Sequence, residues 1–121
     1  MKTLNTETLD GYLSNGGATL FFLRDSAMFV DYSKVIVSGY GVSMSGGLVV
    51  KMDMPKDDMV KMILKFASDM VGGFVGLWVD GNDLYIDKTI VVNNLDMAKT
   101  MGVKNNQKSI YDFGSGKVVA L

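Results

Sequence analysis

A chain of 121 residues, 48% apolar and 21% charged, has the size and composition of one folded domain and lies outside the range of disordered sequences. With no cysteine and no histidine it cannot form a disulfide, a thiolate nucleophile, an imidazole base or the common zinc centres, which removes most small-enzyme mechanisms. Twelve basic and 13 acidic residues give a net charge of -1, neither the basic field of a nucleic-acid-binding domain nor the dense negative surface of a DNA mimic.

The N-terminus carries Thr, Asn, Glu and Asp within ten residues and no apolar run, so no secretion signal is expected and the cytoplasm is the default. Asn5 or Thr6 caps a short helix through Leu9, Tyr12 and Leu13, stopped by Asn15-Gly16-Gly17. Ala18 to Leu23 and Ala27 to Tyr32 are apolar runs of strand length around Arg24-Asp25-Ser26, which predicts a hairpin. Val35 to Val50 is the longest stretch without charge, but it is too short and too broken by small polar residues to span a bilayer. Within it, Val35 to Met44 and Leu48-Val49-Val50 read as two strands joined by the turn Ser45-Gly46-Gly47.

Pro55, the only proline, suits a first helical position; Asp57 and Asp58 complement the helix dipole, and Gly72-Gly73 supplies the stop. Between them Met59, Ile63, Phe66 and Met70, widened by Val60 and Ala67, form the stripe of an amphipathic helix packed on a sheet. Phe74 to Val79 and Leu84 to Val92 flank Asp80-Gly81-Asn82-Asp83 as a second hairpin. Asn94 caps a helix from Leu95 to about Lys104 with Leu95, Ala98 and Met101 facing in. Ser109 to Phe113 and Lys117 to Ala120 close the chain as a last pair of strands. The expected fold is α+β, one domain over residues 1–121, with a small antiparallel sheet packed by one long amphipathic helix and two short ones. The ten Met read as core filling or, alternatively, as an adaptable binding surface.

Catalysis would have to come from carboxylates, Lys, Tyr, Ser and Thr alone. Asp57 and Asp58, adjacent on a helix, diverge by about 100° around its axis and form no dyad. Asp80-Gly81-Asn82-Asp83 lacks the ligand spacing and terminal Glu of a calcium loop, and the glycines from Gly39 to Gly47 have no phosphate-loop spacing. Aromatic residues beside carboxylates are a better lead. Alternation puts Trp78 and Asp80 on one face of their strand and Leu77 and Val79 on the other, with Tyr85 and Asp87 as the corresponding set on the next strand. Such a face suits the stacking of a base or ribose, so Trp78 is expected to be partly exposed. Asn105-Asn106-Gln107, after a helix, offers amide donors and acceptors or simply a capped helix end.

The order of Val75-Gly76-Leu77-Trp78-Val79-Asp80, Leu84-Tyr85-Ile86-Asp87, Asn94-Leu95-Asp96-Met97-Ala98 and Asn105-Asn106-Gln107-Lys108-Ser109-Ile110-Tyr111-Asp112-Phe113 resembles a pattern in small phage and prophage proteins. There a strand with Trp and Asp and a YxD strand precede a short helix, and NNQ opens the last hairpin. Val37-Ser38-Gly39-Tyr40-Gly41-Val42-Ser43 resembles the GYaVs element of their first half. The group is similar to the phage Thoeris anti-defence sponges, dimers that sequester cyclic ADP-ribose-type signals without cleaving them. Those proteins place an arginine after the helix glycine, whereas here Gly102 is followed by Val103 and Lys104. Lys104 or Arg24, the one arginine, would then supply the cation, and Lys offers a point charge without a bidentate fork.

The resemblance implies a phage-encoded binding protein in the bacterial host cytoplasm that holds a nucleotide-derived immune second messenger, of cyclic ADP-ribose or cyclic oligonucleotide type. It implies no enzyme activity, cofactor or metal, and no contact with long nucleic acid or membrane. The residues expected to bind the ligand are Arg24, Tyr40, Trp78, Asp80, Tyr85, Asp87, Lys104, Asn105, Asn106 and Gln107. The alternative is a protein-binding inhibitor of a bacterial defence complex, such as an anti-CRISPR. A homodimer or larger homo-oligomer is expected, because the aliphatic side of a small sheet exceeds what short helices cover.

Overall fold

The computed structural model describes residues 2–121. In chain order these form β1 (Lys2–Thr3), α1 (Thr6–Ser14), β2 (Gly17–Leu23), β3 (Met28–Asp31), β4 (Tyr40–Ser43) and β5 (Leu48–Lys51), then α2 (Lys56–Asp69). The chain continues through β6 (Phe74–Asp80), β7 (Asp83–Val92), α3 (Leu95–Lys104), β8 (Ser109–Asp112) and β9 (Lys117–Ala120). The fold is α+β, as expected from the sequence, but the sheet is not small: its nine strands run in the order β1-β3-β2-β6-β7-β4-β8-β9, with β5 also on β7. Every pairing is antiparallel.

The helix ends form as their residues require. The Asn5 side chain accepts from the Thr8 amide at 2.9 Å while the Thr8 hydroxyl accepts from the Asn5 amide at 3.0 Å, a reciprocal cap. Asn94 caps α3 by accepting from the Met97 amide. Pro55 is the residue before the first helical turn of α2 and not within it.

All three helices lie on one side of the sheet. Leu9 and Leu13 of α1 and Met59, Ile63 and Ala67 of α2 pack with Leu20, Val75, Leu77, Leu84 and Ile86 in the larger core. Ala98 of α3 packs with Val42 and Ile110 in a smaller one. Ile90 lies on the same side of β7 as Leu84 and Ile86, and Val42 is its cross-strand partner, so both cores share a side. Leu95, expected to face in, is 37% exposed, because Ala98, one turn on, is the residue of α3 that meets the sheet.

The hairpin expected from Val35 to Val50 does not form. β4 and β5 do not pair with each other; both pair with β7, on the edge away from β6, β4 against Thr89–Val92 and β5 against Asp83–Ile86. At ten residues β7 is long enough to seat both end to end, and the residues between them pass opposite Asp87 and Lys88, the Met44 amide donating to the Lys88 carbonyl at 2.8 Å. Val35 and Ile36 are in a turn instead of a strand, their amides donating to the Tyr32 carbonyl.

Gly17 joins α1 to β2 with φ +144°, and a Cβ there would overlap the Leu77 carbonyl across the strand pair. Gly17→Ala should therefore lower stability by about 1–3 kcal/mol or more, measured as the shift in the urea midpoint; an unchanged midpoint would contradict this backbone approach.

Candidate functional site

The opposite side of the sheet carries no helix. On it Trp78 pairs with Tyr85 and Gly76 with Asp87, while Leu77 and Ile86 between them point into the core. The alternation expected for the two strands therefore holds, and Trp78 is 44% exposed. The exposed Phe21, Val49 and Val118 belong to the same side, through their partnerships with the neighbouring strands.

Tyr111 of β8 and Phe113 just after it extend this face. Tyr111 pairs with Gly41, which pairs with Val91 on the open side of β7. The Trp78 and Tyr111 rings meet edge to face with centroids 6.3 Å apart, and Tyr111 meets Phe113 at 5.0 Å. Because β7 and β4 lie between β6 and β8, a flat sheet would keep these strands about 14 Å apart. The sheet must curl toward its uncovered side. Glycines permit the close packing beneath the rings: a Cβ on Gly41 would approach the Phe113 ring to 3.0 Å, and one on Gly76 would overlap the Thr89 hydroxyl. A second aromatic group, Phe21, Tyr32 and Phe74, occupies the same side with centroids 5.5–6.1 Å apart.

Asp87 lies half-buried on this face, against Gly47, where a Cβ would overlap its carboxylate. Burial pushes its carboxyl up to about 6, opposed by a hydrogen bond from the Ser43 hydroxyl. Among the described residues no cation is paired with it; Lys51 pairs with Asp83 at 2.8 Å and Lys65 with Asp69 at 3.3 Å.

Of the other residues singled out from the sequence, Asp80 sits at the margin of this face and six lie elsewhere. Tyr40 packs on the helix side with Val42 and Ala98. Asp80 is exposed at the end of β6, opposite Asp83. The Arg24 guanidinium donates to the Met70 carbonyl, and Lys104 is exposed in the last turn of α3. Asn105 ends α3; its side-chain amide donates to the Met101 carbonyl at 2.8 Å and its Oδ1 accepts from the Ser45 amide at 3.0 Å. Asn106 takes φ +59°, and the Gln107 side chain donates to the Asn105 carbonyl. This segment is a helix end that pins the loop between β4 and β5. The structure thus brings together Trp78, Tyr85 and Asp87, adds Tyr111, Phe113 and Thr89, and leaves the six residues Arg24, Tyr40, Lys104, Asn105, Asn106 and Gln107 outside the group. The alternation of Tyr111 and Phe113 with the inward Ile110 and with Asp112 was the available signal for the additions.

On the helix side, an open cleft of about 480 Å³ separates α2 from the loop between β4 and β5. Leu48, Met62, Phe66 and Met70 line it, with Lys65 and Lys88 among its polar residues. Among the described residues no three metal-ligating side chains cluster, and no helix is long and apolar enough to cross a membrane. No family model, curated protein or solved structure matches the chain.

Because the carboxyl of Asp87 is raised in the fold, the native state binds its proton more tightly than the unfolded chain between about pH 4 and 6. Its contribution to stability is therefore most favourable below that window and is lost as pH rises through it. Asp87→Asn should raise the thermal midpoint at pH 7 and bring no such gain at pH 4. A midpoint that falls equally at both pH values would show that the carboxylate is instead a favourable structural contact.

Proposed function

We propose that this protein is a non-catalytic binding module whose uncovered sheet face stacks the base of a nucleotide-derived ligand. In keeping with its resemblance to the anti-defence sponges, it would sequester an immune second messenger, of cyclic ADP-ribose or cyclic oligonucleotide type, in a bacterial cytoplasm. The observation that carries the reading is that Trp78, Tyr85 and Tyr111 share a curled, helix-free face with Asp87, two residues along β7 from Tyr85. Trp78 offers an exposed ring for stacking, Tyr85 flanks it across the strand pair, and Asp87 accepts hydrogen bonds from a sugar hydroxyl or a ring amine. Nothing in this group pairs a nucleophile with a base, which fits capture of the ligand intact.

The openness of the same face favours a second reading. Phe21, Val49 and Val118 give it an apolar rim that suits a protein partner, either a defence protein or a second copy of this chain. The helices already cover the aliphatic side, so an oligomer would form through the aromatic one.

Incubation with a panel of cyclic oligonucleotides and cyclic ADP-ribose isomers, followed by heat release, should return one compound unchanged. A converted product would indicate an enzyme, and no retained compound would favour the protein partner. Stacking on an aromatic contributes about 1–3 kcal/mol per base, so Trp78→Ala should weaken binding by about ten- to a hundredfold while the cooperative thermal transition persists. Loss of that transition would make Trp78 a structural residue.

A further inference from the structure

The charge on the aromatic face points to a narrower ligand chemistry, an inference that rests on the stacking role proposed above. Three carboxylates belong to this face: Asp80 on β6, and Asp83 and Asp87 on β7. Its cation is Lys51 of β5, placed there opposite Asp83 and bound to it at 2.8 Å. The cations that a phosphate would need are engaged or remote. Arg24 is bound to the Met70 carbonyl, Lys88 points to the helix side and donates to the Val71 carbonyl, and Lys104 lies at the end of α3. A phosphate on this face would meet carboxylates without a free positive partner. A positive ring would gain twice, from the electron-rich ring faces of Trp78, Tyr85 and Tyr111 and from the unpaired carboxylate of Asp87 on the same face.

We propose that Asp87 is the specificity-determining residue of this face, and that the face takes a planar heterocycle bearing a positive charge in preference to the neutral ring or to one carrying a phosphate close by. Any phosphate of the ligand then projects away from Asp87 into solvent. Gly47, Gly76 and Ser43 shape the recess: two have no side chain to cover the carboxylate, and the third gives it one hydroxyl donor, leaving its other lone pairs for the ligand. The titratable groups that share the face with Asp87 are Tyr85 and Asp83 on its own strand, Asp80 on β6, Lys51 on β5, Tyr111 on β8 and Tyr32 just after β3; β2 and β4 place none there. Asp87 is the one with a carboxyl pushed up to about 6, so the preference should weaken as pH falls through that value.

Trp78 is the only tryptophan, and its fluorescence reports directly on this face. The test is a titration with 1-methyladenosine, whose ring is positively charged at neutral pH, beside adenosine and adenosine 5′-monophosphate. At pH 7.5 the expected order of affinity is 1-methyladenosine, adenosine, then the monophosphate, with the first step about tenfold. That step should shrink toward unity at pH 5 in the unmodified protein and at pH 7.5 in Asp87→Asn, so the result does not depend on the variant alone. A monophosphate that binds as tightly as 1-methyladenosine, or a preference unchanged both at pH 5 and in Asp87→Asn, would overturn the role of Asp87 and leave the stacking role standing. No fluorescence response to any of the three would overturn both.

Discussion

The structure depends on β7 being paired along both edges. Its ten residues hold β6 on one side and β4 and β5 on the other, so every element of the fold is attached to it directly or through one of these neighbours. Strict alternation along such a strand sorts the molecule into two chemistries. Leu84 and Ile86 enter the core beneath the helices, while Tyr85, Asp87 and Thr89 face the uncovered side. A slip of one residue would exchange the two sets and place a carboxylate in the apolar core, which is why the register is strongly determined here.

The uncovered side is consequently a product of the same pattern that builds the core. Small residues at its centre and large rings at its margins let the sheet bend, since a flat sheet would keep Trp78 and Tyr111 well out of contact. The bend places Asp87 where water is partly excluded but where no lysine or arginine reaches it, and its raised carboxyl follows from that position.

Much of this was legible in the sequence because it is local. The Asn5 and Asn94 caps, the stripe of Met59, Ile63 and Ala67, the turn at Asp80–Asp83 and the alternation around Trp78 and Tyr85 all act within a few residues. What was not legible depends on distant partners. Ser45-Gly46-Gly47 has the composition of a hairpin turn, yet β7 offered both flanking strands a longer edge than they could offer each other. Asn105, Asn106 and Gln107 have the chemistry of a ligand site, and here that capacity is spent on ending α3 and holding Ser45. Tyr40 differs from Tyr85 only in which side of its strand it occupies, a matter of register that no local pattern discloses.

The division of the interior into two cores has a consequence for motion. The larger joins α1 and α2 to the long strands, whereas the smaller holds the C-terminal segment through Val42, Ala98 and Ile110. β8 is paired to β4 at only two positions, Tyr40 with Asp112 and Gly41 with Tyr111, and β9 pairs with β8 alone. Opening of α3, β8 and β9 together therefore breaks far fewer contacts than global unfolding, and their amides should exchange with solvent hydrogen while those of β6 and β7 remain protected. Tyr111 travels with this unit and Trp78 does not, so each such opening separates the two rings and widens the curled face, making the segment from α3 onward its door.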